Sequence, residues 1–232
     1  MVKILTVIVV CLLLVVPSWA ARPLSTDDAG TLGQGAWEIE ASYELDQPKG
    51  GGASSGSLGT GIKYGLLPSF DLGLEIPYTA TGTTGIGDAT LKGKLGFNDA
   101  LALGIDIKLT NADAASGLGT GYVDYGLNVI YSCEMCHVNL GYTVVGQAGG
   151  ATSNNNVLSY GIAMEKALND STNLVGEVAG SSTSSVAVNP IDLQIGLNRS
   201  LNEILTIDGG LTYGLTDGSS EYKATVGLAL AL

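Results

Sequence analysis

The chain has 232 residues, 34 of them glycine, and a formal net charge of −12. Ten Lys and Arg stand against 22 Asp and Glu with no basic cluster, so nothing offers a footprint to phosphate backbones and nucleic acid is excluded as a partner. No 18-residue apolar run follows the first twenty residues, which excludes a bundle of transmembrane helices.

The chain opens with Lys3 and an unbroken apolar run from Ile4 to Val16, ended by Pro17-Ser18-Trp19-Ala20 with small residues at −3 and −1. This reads as a signal peptide over residues 1–20, cleaved after Ala20, rather than a retained anchor. Cys11 follows bulky Val10, which does not suit a lipoprotein signal. Residues 21–35 then read as a periplasmic N-terminal segment, and 36–232 as one folded unit. Within the segment, Thr26-Asp27-Asp28 has two readings: a cation site built from carboxylates, or a turn cap as the segment enters the folded unit.

From residue 37 onward the dominant period is two. In Trp37-Glu38-Ile39-Glu40-Ala41-Ser42-Tyr43-Glu44-Leu45 one face is apolar and the other acidic. The pattern recurs over 57–67, 70–79, 88–98, 100–110, 122–132, 136–147, 157–168, 172–181, 190–200, 203–215 and 221–232. These are twelve candidate strands of about ten residues, the length a tilted strand needs to cross an outer membrane. Short connections (67–69, 98–99, the Cys133 region, 169–171, 201–202) alternate with others that are mostly longer and rich in Gly, Ser, Thr and Asn. The expectation is an all-β, up-and-down antiparallel barrel of about twelve strands in the outer membrane of a Gram-negative bacterium. Both termini are expected on the periplasmic side, with membrane lipid and the barrel-assembly machinery as partners.

Charge placement separates this from a soluble sandwich. The polar phase carries Glu38, Glu40, Glu44, Lys63, Asp71, Glu75, Asp88, Lys92, Lys94, Asp106, Lys108, Asp124, Glu165, Glu177, Asp192, Asp208 and Lys223, all expected to line a lumen. A charge facing lipid at midplane costs about 2–4 kcal/mol. The exceptions, Lys166 and Arg199, fall at the periplasmic strand ends, where long side chains reach the interface. Aromatics fall on the apolar phase at both ends: Trp37, Tyr64, Phe70, Phe97 and Tyr131 at one, Tyr43, Tyr78, Tyr125, Tyr213 and Tyr222 at the other. They form the two girdles of a membrane barrel. Gly59, Gly61, Gly73, Gly104, Gly161 and Gly196 fall on the lumenal phase and leave room for a path or for large side chains opposite. The lumenal charges are read either as Glu–Lys pairs filling a narrow barrel or as the wall of a pore favouring cations or neutral solutes.

Several stretches resemble one family. Arg22 to Thr31 looks like its N-terminal hallmark, Phe70 to Tyr78 its third strand, Gly85 to Lys94 its G-x-G-D segment, and Asn139-Leu140-Gly141-Tyr142 its mid-barrel "NLGY". The family is the "MetA-pathway of phenol degradation" group of outer-membrane transporters, and the resemblance runs along the chain after the signal. It implies an outer-membrane barrel; the pathway name says little about substrate. The function expected of such a barrel is passive passage of small solutes, apolar or aromatic ones among them. The runner-up is a non-conducting barrel that binds partners or serves as structure.

Cys133-Glu134-Met135-Cys136-His137 has the C-x-x-C-H spacing of c-type haem attachment, which makes a haem-bearing electron-transfer barrel a third reading. A hairpin turn offers haem no pocket, however, and the chain has no second His. The expected alternatives are a disulfide across the turn, or two free thiols or occasional metal capture, with no resident cofactor. The resembling family carries a His before its "NLGY" without paired cysteines, so the resemblance accounts for His137. No Gly-x-Ser-x-Gly elbow accompanies that His, and no enzyme activity is expected.

Overall fold

The computed structural model describes residues 22–147 and 155–232. The proposed signal peptide and most of the 148–156 connection lie outside the described residues.

Twelve long strands follow one another: β1 Trp37–Gln47, β2 Ser55–Leu67, β3 Phe70–Thr79, β4 Thr90–Asn98, β5 Leu101–Lys108, β6 Asp124–Ser132, β7 Cys136–Val144, β8 Val157–Asn169, β9 Thr172–Ser182, β10 Ile191–Ser200, β11 Leu205–Gly214 and β12 Tyr222–Ala231. Each pairs antiparallel with its sequence neighbours. The last closes on the first, in a register running from Glu38 opposite Ala231 to Gln47 opposite Tyr222. Closure leaves no sheet edge, the condition for a β-structure to lie in hydrocarbon. A two-residue piece, Gly85–Ile86, pairs with the end of β3. The only helical turn among the described residues is Ala114–Ser116, capped by Asp113 and ended by Gly117 at φ 77°.

The end that carries Trp37 and Leu232 has short turns and is called the terminal end; the other, with the longer connections, is the loop end. Bulges at Gly65/Leu67 and Gly96/Asn98 tighten two turns at the terminal end.

The burial pattern is inside-out relative to a soluble protein. Leu211, Met164 and Ile162 are 62%, 61% and 60% exposed, while Glu38, Glu177 and Asp71 are 3%, 5% and 6% exposed. Alternation explains this: one phase of each strand forms a continuous apolar outer belt, and the other turns its polar side chains inward. An apolar surface of this extent is stable only against lipid or another apolar partner. Lys166 and Arg199, the outward charges, are exposed near the terminal end.

Eight of the ten girdle aromatics expected from the sequence stand exposed on the outer belt; Tyr64 and Phe70 are half-buried there. The rings of Trp37 and Tyr64 meet across β1 and β2 with centroids 4.4 Å apart. Tyr142 and Tyr160 join the belt at its loop end as well. No aromatic residue of the twelve strands faces inward.

Candidate functional site

The lumen is the candidate site, and its wall is a ladder of paired charges. Lys63 on β2 reaches Glu38 at 2.7 Å and Glu40 at 3.3 Å, both on β1. Lys92 on β4 lies 3.2 Å from Glu75 on β3 and 3.7 Å from Asp106 on β5. Lys108 meets Asp124 at 2.6 Å, and Lys223 meets Glu44 at 4.0 Å across the closing seam. Antiparallel register sets opposite residues about 5 Å apart, within reach of such side chains. Of the seventeen charges expected to line the lumen, sixteen sit in strands on the phase opposite the outer belt. Asp88 instead lies just before β4, at the loop end. There its carboxylate accepts the N–H groups of Ala112 at 3.0 Å and Thr120 at 2.9 Å, and so ties down the connection between β5 and β6.

The lumen also holds a segment of the chain itself. Residues 22–35, expected to be a periplasmic segment that enters the barrel near Thr26-Asp27-Asp28, lie along its inside. They follow the inner wall round from β11 to β2 and descend toward the terminal end, where the chain turns into β1. Arg22 pairs with Asp208 on β11 at 3.2 Å. Gln194 on β10 donates to the Pro23 carbonyl at 2.8 Å. Glu177 on β9 accepts the N–H groups of Ser25 and Thr26 and the Ser25 hydroxyl, each at 2.8 Å. Asn139 on β7 accepts the Asp27 N–H at 3.0 Å and donates to the Asp27 carbonyl at 2.8 Å. Lys94 on β4 donates to the Asp27 carboxylate and to the carbonyls of Asp28 and Gly30, all at 3.0 Å. Ser132 at the end of β6 accepts the Ala29 N–H at 2.9 Å, and Asp71 on β3 accepts the Leu32 N–H at 3.0 Å.

The physical reason is polar satisfaction. An extended segment inside a barrel carries its own main-chain donors and acceptors, and each must find a partner. The wall supplies them from side chains, since its own main chain is used by the ladder. Apolar contacts complete the seat: Leu24 packs with Ala163 and Val175, and Ala29 with Ala102 and Ile130, all buried. The Thr26-Asp27-Asp28 cluster is thereby resolved into separate roles. Asp27 pairs with Lys94, and the Asp28 carboxylate accepts the Gly30 N–H at 2.6 Å in a turn. Burial pushes the Asp28 carboxyl above the ordinary aspartate value, against the pull of Lys94. Among the described residues no group of three metal-ligating side chains gathers here or elsewhere.

Four lumenal glycines complete the seat of residues 22–26. A Cβ on Gly161 would strike the Thr26 hydroxyl and one on Gly227 the Arg22 guanidinium. One on Gly196 would lie 2.6 Å from the Pro23 ring, and one on Gly210 3.0 Å from it. By contrast, a Cβ on Gly61 would meet nothing closer than 3.7 Å.

At the terminal end, Cys133 and Cys136 are joined by a disulfide across the β6–β7 turn. His137 beside them points inward, its Nδ1 2.8 Å from the Ser132 hydroxyl and its Nε2 3.9 Å from Glu165. Both sulfurs of the C-x-x-C-H motif are therefore spent on each other, and its His is packed within the wall. Cavities flank the inner segment on both sides. One of about 270 Å3 toward the loop end is lined by Thr26, Asn128, Ser159 and Asp192; one of about 580 Å3 toward the terminal end is lined by Asp28, Gly30, His137 and Glu165.

The residues that sequence reasoning missed as a group are Asn139, Gln194 and Ser132, which grip the inner segment, and Ile130 and Val175, which pack on it. A signal was present: Ile130 and Val175 are bulky apolar residues on an otherwise polar phase, and an apolar side chain facing water inside a pore has no reason to be there.

Comparison with solved structures places the fold. The NanC porin superimposes with a TM-score of 0.59 at 11% identity, covering 84% of this chain and 100% of that one. The KdgM porin, also solved in complex with disordered oligogalacturonate, gives 0.57 at 11%, covering 83% and 98%. The translocator domain of the autotransporter NalP from Neisseria meningitidis gives 0.53 at 11%, covering 85% and 88%. No protein-family model matches the chain, and no curated protein does. At this identity the likeness is one of fold: a closed twelve-stranded barrel of the porin kind.

Proposed function

We propose that the protein is an outer-membrane channel through which small polar solutes pass passively, its chain termini facing the periplasm. The single observation that carries this reading is the closed barrel with an apolar outside and a polar, charge-paired inside. The porin fold and the motif resemblance to the phenol-pathway group support the same location. Apolar or aromatic solutes are the expectation from the sequence, but the strands turn every aromatic ring outward and line most of the lumen with charges, amides, hydroxyls and glycine. Such a wall favours hydrophilic solutes. Acids outnumber lysines eleven to five among the sixteen wall charges, and field focusing in a low-dielectric wall then concentrates cations.

The test is electrical. Purified protein in a planar bilayer should give unitary currents whose reversal potential in a salt gradient favours cations. The preference should fall as salt rises, because screening shortens the reach of wall charges. Fractionation should place the protein with outer membranes, resistant to salt extraction. Recovery as a soluble periplasmic monomer, or silence both of the full chain and of a chain shortened to begin at Gly33, would end the channel reading.

A further inference from the structure

The inner segment is held in a way that points to a second property of the lumen. Wall side chains bond nine of its main-chain groups: the N–H of Ser25, Thr26, Asp27, Ala29 and Leu32, and the carbonyls of Pro23, Asp27, Asp28 and Gly30. Four contacts read polar side chains: Arg22 with Asp208, the Ser25 hydroxyl with Glu177, Asp27 with Lys94, and the Thr31 hydroxyl with the Pro68 carbonyl. A wall that addresses amide groups in sequence order, with glycines where the main chain must come close, is a recognition surface for extended polypeptide. Asn139 shows the logic most plainly, because its single amide both accepts from and donates to residue 27, as a neighbouring strand would.

We propose that the lumen is a peptide-binding site, that residues 22–32 are its resident ligand and keep the barrel closed at rest, and that an extended peptide in trans takes the same ring of side chains when the resident segment leaves. Three observations fit a ligand that exchanges, as against a permanent part of the wall. It belongs to no strand of the sheet. Its connection to β1 passes through exposed Gln34 and Gly35. Its seat is also incomplete, since the Thr26 hydroxyl and the Asn128 amide oxygen are buried with no hydrogen-bond partner. The cavities on either side mean that leaving would join a loop-end chamber to a terminal-end chamber. Bound peptide would interrupt that path.

The experiment uses the folded full-length protein with a protease site placed at Gln34–Gly35, so that the segment is cut only after the barrel has formed. The probe is a fluorescent synthetic peptide covering Ala21 to Gly33. After cutting and washing, the barrel should bind this peptide and the wild-type uncut protein should not. A peptide methylated on the nitrogens of Ser25 and Thr26 keeps every side chain but loses the two main-chain donors to Glu177. It should bind at least tenfold more weakly. Equal binding of the two peptides, or no binding after verified release, would overturn the peptide site. In parallel, bilayer recordings should show the cut protein open far longer than the uncut one, and added peptide should close it. Identical currents before and after cutting would overturn the resident-plug role. Binding with no current from either form would leave the peptide site standing and count against the channel reading instead. Because cutting can fail to free the segment, Gly161→Leu in the uncut protein provides a second route. Its side chain occupies the place of the Thr26 hydroxyl, so it displaces the resident segment and bars the same peptide: the variant should conduct as the cut protein does, and added peptide should neither bind nor close it.

Discussion

The two halves of the lumen wall differ in how their charges are answered. Strands β1 to β6 carry eleven of the sixteen strand charges expected from the sequence, and β7 to β12 carry five. On the first half most charges meet partners in adjacent strands, as Lys63 does between Glu38 and Glu40, and Lys92 between Glu75 and Asp106. Asp71 and Lys94 are the exceptions, turned to the inner segment. On the second half the wall is amide, hydroxyl and glycine, and its buried acids Glu177 and Asp208 find their donors in residues 22–26. Apart from Asp71 and Lys94, one half is electrostatically complete as a sheet. The other is completed by a segment that is not part of the sheet, and stability of the barrel is thereby separable from occupancy of its lumen.

Breaking the first half should have the largest effect. Lys63→Met removes the cation shared by Glu38 and Glu40, leaving a carboxylate that is 3% exposed without its partner. Stripping one member from a buried pair costs about 3–5 kcal/mol. The variant should lose its β-sheet circular dichroism at a clearly lower temperature in detergent, and Glu38→Gln in addition should recover part of the loss. A variant that melts like the wild type would show that the first half is not held by its ion pairs.

The matching change on the second half should spare the barrel and loosen its occupant. Glu177→Gln removes the charge that three donors share. Hydrogen bonds to a charged group are worth about 1.5–3 kcal/mol, felt here by docking of residues 22–32 rather than by the sheet. With Leu24→Cys as reporter, buried in the wild type, a membrane-impermeant maleimide should react about tenfold faster or more in the Gln background. The melting temperature should stay near that of the reporter alone. A fall in melting as large as that of Lys63→Met would mean that both halves are structural.

The glycines give a finer contrast and show how far the sequence could be read. The period-two pattern was enough to place the twelve strands, the outward phase and the girdles, because alternation is a local property that register merely repeats. It treated Gly61 and Gly161 as equivalent gaps on the lumenal phase, since nothing local distinguishes them. Their difference lies in what stands opposite, and that depends on a segment more than a hundred residues from Gly161 in sequence. For the same reason residues 21–35 read as periplasmic: a polar stretch without periodicity looks like a tail unless its main-chain bonds are traced to Glu177, Asn139 and Gln194. Gly161→Ala should therefore push Thr26 off its seat at a cost of about 1–3 kcal/mol and raise Leu24→Cys labelling. Gly61→Ala, where the nearest atoms are 3.7 Å away, should leave both labelling and melting unchanged.

The smallest effect is expected where the halves meet. Among the described residues Lys223 on β12 is the one inward cation of β7 to β12, and it faces Glu44 across the closing seam at 4.0 Å. Both side chains are part-exposed, at 30% and 42%. Pairs of this separation and exposure are worth about 0–1 kcal/mol, because water screens the attraction and two long side chains lose freedom to keep it. Lys223→Gln should therefore leave the melting temperature within error of the wild type, since the seam itself is held by ten paired residues of the β1–β12 ladder. The variant should still register electrically. Removing a positive charge near the loop end should strengthen cation preference in dilute salt, and the change should vanish near 1 M, where the screening length is about 3 Å. A destabilisation approaching that of Lys63→Met would show the seam to be an extension of the charged half. An electrical shift alone would mark it as the boundary between a wall that holds itself together and a wall that waits for an occupant.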